Sequence, residues 1–334
     1  MTTAHVLVIL IVIIALVFDY TNGFHDAANA IATTVATKAV RVRTALIIAA
    51  VGNMAGAFLS EGVAKTVGKG IIDVQSSTSG LVVVMAALLG AISWNVLTWW
   101  LGLPSSSSHA LIGGLVGAAL ASGELVYWSG VMQKVAIPMV ISPLVGISAA
   151  FALTLLLQWI FRNAKKSKVG KGFKVAQVFA AGAMSLGHGL QDAQKTMGVI
   201  TLSLVVGGMH TGDSIPVWVK IAAASAISLG TYSGGWRIMK TLGKRMVEID
   251  PIRGVASQTV ASTVLFFMAI HLKAPISTTH TITSSIIGAG ATRGPRWVRW
   301  RTVSNIVTAW VLTLPAAALS GALFYFLFQF LGMP

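Results

Sequence analysis

Gly23-Phe24-His25-Asp26-Ala27-Ala28-Asn29-Ala30-Ile31-Ala32-Thr33 decides how this chain is read. It follows the apolar run Val6 to Phe18, which reads as membrane-buried. An aspartate, a histidine and an asparagine therefore stand within or beside a hydrophobic span. A charge at that depth costs about 2.5–3.5 kcal/mol on insertion scales and marks function by default. The stretch has a twin. Gly189-Leu190-Gln191-Asp192-Ala193-Gln194-Lys195-Thr196-Met197-Gly198 repeats the Gly-x-x-Asp-Ala core, with Asp192 166 residues after Asp26.

Composition supports a bilayer setting for both stretches. Hydrophobic residues make up 55% of the 334 and charged ones 10%, where a soluble domain carries about 25%. The chain reads as an all-α polytopic membrane protein. The apolar runs are long and continuous, unlike the alternating strands of about ten residues in a membrane barrel. With 34 glycines and 9 prolines, broken helices are expected, tolerated where protein or a water-filled cavity satisfies the freed backbone. The absence of cysteine excludes disulfides, thiolate metal sites and cysteine nucleophiles. The net charge of +15 lies in short clusters between apolar spans. The positive-inside rule explains such clusters without a nucleic-acid partner. No Lys or Arg precedes the first apolar run, so it reads as a first span and not a removed signal.

Outward from the two stretches, the halves run in the same order. A first unit spans about residues 4–37, interrupted near Tyr20–Gly23; spans follow at about 44–60, 80–101, 111–121 and 131–161. Residues 162–174 form a basic cytoplasmic linker carrying Arg162, Lys165, Lys166, Lys168, Lys171 and Lys174. A second broken unit spans about 175–208, followed by spans at about 215–235, 255–272, 282–291 and 302–330. Basic loops at 38–43, 162–174, 237–253 and 293–301 belong in the cytoplasm, and the neutral or acidic loops at 61–75, near Glu124 and at 209–214 outside. Both termini then fall outside. Equivalent loops of the two halves carry opposite charge character. The expected organisation is two inverted-topology repeats, 1–161 and 175–334, with broken helices, re-entrant half-helices and ten to twelve transmembrane segments. Secondary transporters use such repeats, with a site near the midplane.

A second pair of motifs supplies the chemistry. Pro104-Ser105-Ser106-Ser107-Ser108-His109 matches Pro275-Ile276-Ser277-Thr278-Thr279-His280, 171 residues on, and each precedes a run of small residues. Proline followed by hydroxyl residues reads as the start of a helix. Its N-terminus offers free N–H groups and partial positive charge. With the hydroxyls of two opposed clusters, that suits a tetrahedral oxyanion. Asp26 and Asp192 would repel a bare anion, so a cation or proton must neutralise them. Such a site binds anion and cation together, which is the chemistry of symport. Aligning the aspartates sets Asn29 opposite Lys195; a fixed ammonium there can replace a bound cation or contact the anion.

These four motifs, taken in order, resemble the inorganic phosphate transporter (PiT) family, and the resemblance covers nearly the whole chain. It implies a low-affinity phosphate symporter of the cytoplasmic membrane, homodimeric, driven by Na⁺ or H⁺, with no other cofactor. By that resemblance Ser105, Ser106, Ser107, Ser108, Ser277, Thr278 and Thr279 would hold phosphate, with Lys195 beside them. Asp26, Asn29 and Asp192 would serve the proton or a sodium ion. Where the family has asparagine before each motif aspartate, this chain has His25 and Gln191. Lys195 in place of a second asparagine is similar to the bacterial, proton-coupled branch; the expected coupling is to H⁺ or to a neutral metal–phosphate complex.

Other readings compete. The aspartates can cap half-helices, the serine clusters can ease helix packing, and Lys195 can snorkel to an interface. His109 and His280 read as supports for the cluster backbone, with metal binding as the alternative. The tryptophans, among them Trp99, Trp100, Trp297 and Trp300, read as interfacial anchors among membrane lipid. A sulfate permease on the same scaffold is the nearest functional rival; an anion channel would not need paired carboxylates. No nucleophile elbow, zincin or P-loop pattern favours an enzyme.

Overall fold

A computed structural model describes residues 2–212 and 214–333. Met1, Asp213 and Pro334, at the two termini and in the 209–214 loop, lie outside the described residues. Among those described, twelve helices fall six to each half. The first six are α1 Thr3–Ala36, α2 Val42–Gly56, α3 Gly62–Lys69, α4 Thr78–Leu101, α5 Ser107–Ser122 and α6 Trp128–Ile160, the last with a wider π-helical turn at Met132–Ala136. The second six are α7 Lys166–Val206, α8 Val217–Ser233, α9 Trp236–Lys240 continued by a π-helical turn at Thr241–Arg245, α10 Pro251–Ile270, α11 Thr278–Ala291 and α12 Trp300–Phe330. The protein is all-α apart from a two-stranded ribbon, β1 Ile72–Asp73 antiparallel to β2 Leu125–Val126.

Burial is inverted relative to a soluble domain. The interior holds Asp19, Asp26, Asp192, Lys195, His25, His188 and the serine and threonine clusters, while α6 and α12 turn Ile141, Leu144, Leu156, Val311, Leu319 and Phe326 outward. Apolar exposure on that scale suits lipid. Five helices are long and apolar enough to cross a membrane: α1, α4, α6, α10 and α12. The others are too short, as α2, α5, α8 and α11 are, or too polar, as α7 is.

The interruption expected near Tyr20–Gly23 is absent: α1 runs unbroken through 34 residues and α7 through 41. Glycine here permits a close crossing and does not break the helix. A Cβ on Gly23 would lie 2.4 Å from the Ile227 carbonyl oxygen of α8, and one on Gly230 of α8 would lie 2.2 Å from that of Tyr20. The second half repeats the device: a Cβ on Gly189 of α7 would meet the Asn53 carbonyl oxygen of α2 at 2.2 Å, and one on Gly56 that of Leu186 at 2.1 Å. Small residues let membrane helices approach, and the buried polar side chains sit on backbone that keeps its own hydrogen bonds. Overpacking a tight site costs about 1–3 kcal/mol or more. Gly230→Val is therefore expected to lower the thermal unfolding midpoint in detergent markedly, while Gly170→Ala, whose added Cβ would meet nothing within 4 Å, leaves it near that of the parent.

The basic linker is also shorter than expected. Helix α7 begins at Lys166, so 166–174 are its first turns and only residues 161–165 connect the halves outside regular helix.

Packing partners exchange between the halves. Helix α1 packs on α8 and α7 on α2; α5 packs on α12 and α11 on α6; α4 packs on α12 and α10 on α6. Pro143 lies inside α6 and Pro315 inside α12. The loops sort by end. At one end Arg293 pairs with Asp250 at 3.2 Å, the Arg299 N–H donates to the Met246 carbonyl at 3.0 Å, and Thr241 donates to the Gly102 carbonyl at 2.9 Å. At the other end Lys220 pairs with Glu61, Lys134 donates to the Leu272 carbonyl at 2.9 Å, and the ribbon joins 72–73 to 125–126. The Lys220 ammonium holds the Glu61 carboxyl below its ordinary value.

Candidate functional site

The site forms where α5 and α11 begin. Ser106 ends an extended segment and caps α5, accepting from the His109 N–H at 3.2 Å; Ser277 caps α11, accepting from the His280 N–H at 3.1 Å. The helices that follow are 16 and 14 residues long, about 24 and 21 Å at 1.5 Å per residue. Each is short of the 30 Å hydrocarbon core. Their first turns meet inside the protein. The His109 and His280 rings touch edge to face, centroids 4.8 Å apart, and His280 stacks on Trp310 at 4.0 Å. The two histidines thus pack under the clusters. Helix geometry leaves the first N–H groups of each helix without intrahelical partners, so two positive helix ends face one locus.

Helices α1 and α7 bring the charges to that locus. Asp26 accepts from the hydroxyls of Thr278 (3.1 Å) and Thr279 (3.2 Å), both on α11, and from Ser107 of α5 at 3.5 Å. His25 Nδ1 lies 2.6 Å from its other side. Asp192 pairs with Lys195 one turn on, and with His188 Nε2 at 3.0 Å one turn back. The Thr278 hydroxyl also lies 3.1 Å from Asp192 Oδ2. It has one proton and two carboxylate neighbours, so it can donate to only one of them at a time. Asn29 donates to Thr279 at 2.9 Å, and Lys195 donates to Ser108 and, at 3.1 Å, to the Ile276 carbonyl. The matched residues Asn29 and Lys195 thus reach matched hydroxyls on opposite clusters.

Every one of these side chains is at most 2% exposed. Ion pairs in such a setting repay desolvation only with full hydrogen bonding, and here the hydroxyls supply it. One oxygen from each aspartate and a His188 nitrogen lie within 4.8 Å of one another. That set, with the unpartnered Asn29 Oδ1, has the donors to hold a small hard cation or to share a proton.

Most of the residues expected from the sequence converge. Asp26, Asn29, Asp192, Lys195, His25, Ser107, Ser108, Thr278 and Thr279 form one contact network. Ser105 joins through His25 Nε2 at 3.3 Å and Thr98 at 2.8 Å. Ser106 and Ser277 spend their hydroxyls on capping. Gln191 stands apart: its amide donates to the Ala274 carbonyl at 3.3 Å and the Leu265 carbonyl at 3.4 Å. Three further partners are not among the residues expected from the motifs. His188 bridges toward both aspartates, reaching Asp26 at 3.8 Å. Asn53 of α2 holds His188 Nδ1 at 3.0 Å, and Thr98 of α4 lies 3.2 Å from His25 Nε2. His188 stands four residues before Asp192, one turn away on a helix, and that spacing is the one signal the sequence offers for it.

Known proteins place this geometry in a lineage. Residues 22–321 match the model of the phosphate transporter family, and the chain belongs to that family. It is 45% identical over 326 residues to a probable low-affinity inorganic phosphate transporter of Bacillus subtilis, covering 96% of this chain and 97% of that one. A Mycobacterium bovis protein described in the same words is 46% identical over 330 residues, covering 98% of this chain and 78% of its own. A putative phosphate permease of Pyrococcus abyssi is 28% identical over 393 residues, covering 95% and 96%. Among solved structures, the sodium-dependent phosphate transporter superposes with a TM-score of 0.87 at 23% identity, covering 97% of this chain and 99% of that one. At that identity the likeness is one of fold.

Proposed function

We propose that this protein carries inorganic phosphate across the membrane with a small cation, by alternating access to a site between two inverted repeats. The observation that carries the reading is the contact between Asp26 and the hydroxyls of Ser107, Thr278 and Thr279. Both hydroxyl clusters and the charged helices form one unit. An oxyanion entering between the α5 and α11 N-termini meets N–H groups, hydroxyls and the Lys195 ammonium. It also meets Asp26, which admits it only when a cation or proton accompanies it. Phosphate suits this better than sulfate, because its protonated oxygen can donate to a carboxylate. Excess sulfate is accordingly expected to leave phosphate uptake largely unchanged.

Lys195 bears on the coupling ion. It stands where the first half has Asn29 and places an ammonium beside Asp192. The second half then needs no exchangeable cation of its own, which favours H⁺ coupling or a neutral metal–phosphate cargo over coupling to several sodium ions. The test is phosphate uptake by purified protein in liposomes with Na⁺ and H⁺ gradients imposed separately. Accumulation driven by the proton gradient without Na⁺ is expected. An absolute requirement for Na⁺ with indifference to pH would reject this coupling.

The inverted arrangement is supported by the exchanged packing partners, the matched Pro143 and Pro315, and the His109–His280 contact at the centre. The gathering of basic loops at one end supports a cytoplasmic assignment for it, with both termini outside. The chain has no cysteine, so single cysteines can report sidedness cleanly. Cysteines at Arg41 and His210 are expected to label from opposite sides of sealed vesicles. Labelling from the same side would end the two-fold reading.

A further inference from the structure

Asp19 lies outside the network just described. It is fully buried on α1, and neither of its carboxylate oxygens has a hydrogen-bond partner among the described residues. Its surroundings are polar and equally unsatisfied. Asn22, one turn on along the same face of α1, is fully buried with its amide oxygen and nitrogen unpartnered. The Thr196 hydroxyl of α7 is directed at the Asp19 carboxyl as a candidate donor, but the contact falls outside ordinary hydrogen-bond geometry. Helix α4 runs beside α1 in the same direction, and its Thr98 meets His25. Asn95, one turn before Thr98, is thereby level with Asn22, and both its amide atoms are unpartnered too. Native structures leave few buried polar groups unsatisfied. Asp19 and Asn22 on one face of α1, Thr196 from α7 and Asn95 on the neighbouring α4 thus supply four buried polar side chains, one of them a carboxylate, with oxygens suited to a small cation.

Charge gives the ligand its sign. Asp26 and Asp192 each have a basic partner in contact; Asp19 has none among the described residues. The charged or titratable groups that act on it, Asp192, His188 and Lys195, all come from α7. Helix α4 carries no charged residue, and the one charge of α8, Lys220, pairs with Glu61. Asp19 is seven residues from Asp26, about 10 Å along the helix, toward the end that holds Glu61. The other half has no equivalent. At the 166-residue offset stands Ser185, whose hydroxyl is satisfied by the Ala181 carbonyl at 2.7 Å.

We propose that Asp19, with Asn22, Thr196 and Asn95, forms a separate site for the small coupling cation, a proton on the carboxyl or a sodium ion among the oxygens, between the phosphate pocket and the Glu61 end of the bundle. This rests on the symport reading above and adds a third carboxylate to it. The site would let the cation enter one step before the anion and lower the repulsion the anion meets at Asp26.

Two measurements test it. The first compares gradient-driven phosphate accumulation with phosphate–phosphate exchange in proteoliposomes. Asp19→Asn is expected to lower the ratio of accumulation to exchange about tenfold, and Asp19→Glu, which keeps the carboxyl, to restore much of it. A ratio equal to that of the parent in Asp19→Asn overturns the proposal while leaving phosphate transport standing. Loss of phosphate uptake by the parent itself would instead strike the transport reading. The second measurement uses the unaltered protein, so it holds even where variants fail to fold. Dicyclohexylcarbodiimide attacks protonated carboxyls in apolar surroundings, and mass spectrometry locates the adduct. Labelling at Asp19 that declines with rising pH and ignores Na⁺ identifies the proton. Labelling suppressed by Na⁺ at fixed pH identifies sodium. No labelling, or labelling indifferent to both, overturns the site.

Discussion

Asp26→Asn and Asp192→Asn are each expected to cut concentrative phosphate uptake about 100-fold while the protein still inserts. Asparagine preserves the size of the side chain and one acceptor oxygen, so the α1 and α7 crossings remain. What goes is the negative charge on which the hydroxyls of Thr278 and Thr279, His25, His188 and Lys195 converge. Hydrogen bonds to a charged group contribute about 1.5–3 kcal/mol each, and 1.36 kcal/mol is a factor of ten in rate. Loss of one or two of them accounts for the expected effect. Labelled-phosphate uptake normalised to the amount of inserted protein is the measurement. Normal accumulation by both variants would remove the carboxylates from the mechanism.

The asymmetry between these two positions sharpens the expectation. Asp26 is met by hydroxyls from both clusters, three of them within 3.5 Å, whereas Asp192 shares only Thr278 and leans on Lys195. Neutralising Asp26 removes the charge nearest the joint of the two clusters. Neutralising Asp192 leaves Lys195 without its carboxylate, so that variant should also lose stability.

The helical class, the order of elements and the two motif pairs are legible directly in the sequence. The reason is physical: long apolar runs, proline before hydroxyl residues and charge at membrane depth are each compatible with few structures. Local polarity is the weaker guide. Gly23 amid polar residues looks like a helix break, because the consequence of lacking a Cβ depends on what approaches it. Here the Ile227 carbonyl does, and the helix continues. Lys166 to Lys174 look like a loop because they are charged, yet they form the exposed first turns of α7. Asn53, Thr98 and His188 cannot be assigned to the site from their own neighbourhoods. They arrive on α2, α4 and α7, and their roles exist only through contacts across 73 to 135 residues. Asp19 directly follows the first apolar run, where a charge reads as an interfacial end. Only the continuity of α1 carries it into the interior.

Lys195→Met is expected to destabilise the folded protein by about 3–5 kcal/mol, the usual consequence of removing one partner of a buried ion pair. The side chain is 1% exposed and donates to Asp192, to Ser108 and to the Ile276 carbonyl. Methionine fills nearly the same volume, so packing changes little. Three acceptors lose their donor, and Asp192 keeps only His188 and Thr278. Adding Asp192→Asn to Lys195→Met removes the stranded charge and should recover most of the loss, since an ion pair replaced as a whole is often close to neutral. The non-additivity, read from thermal unfolding midpoints of the parent, both single variants and the double variant, gives the coupling between the two residues. Phosphate uptake separates structure from transport. The double variant is expected to be stable and inactive, because the ammonium that reaches the Ser108 cluster and the carboxylate that reaches Thr278 are both gone. Single variants that add without coupling would mean that Lys195 and Asp192 do not act as a pair, and Lys195 would then not be the fixed counter-ion of the second half.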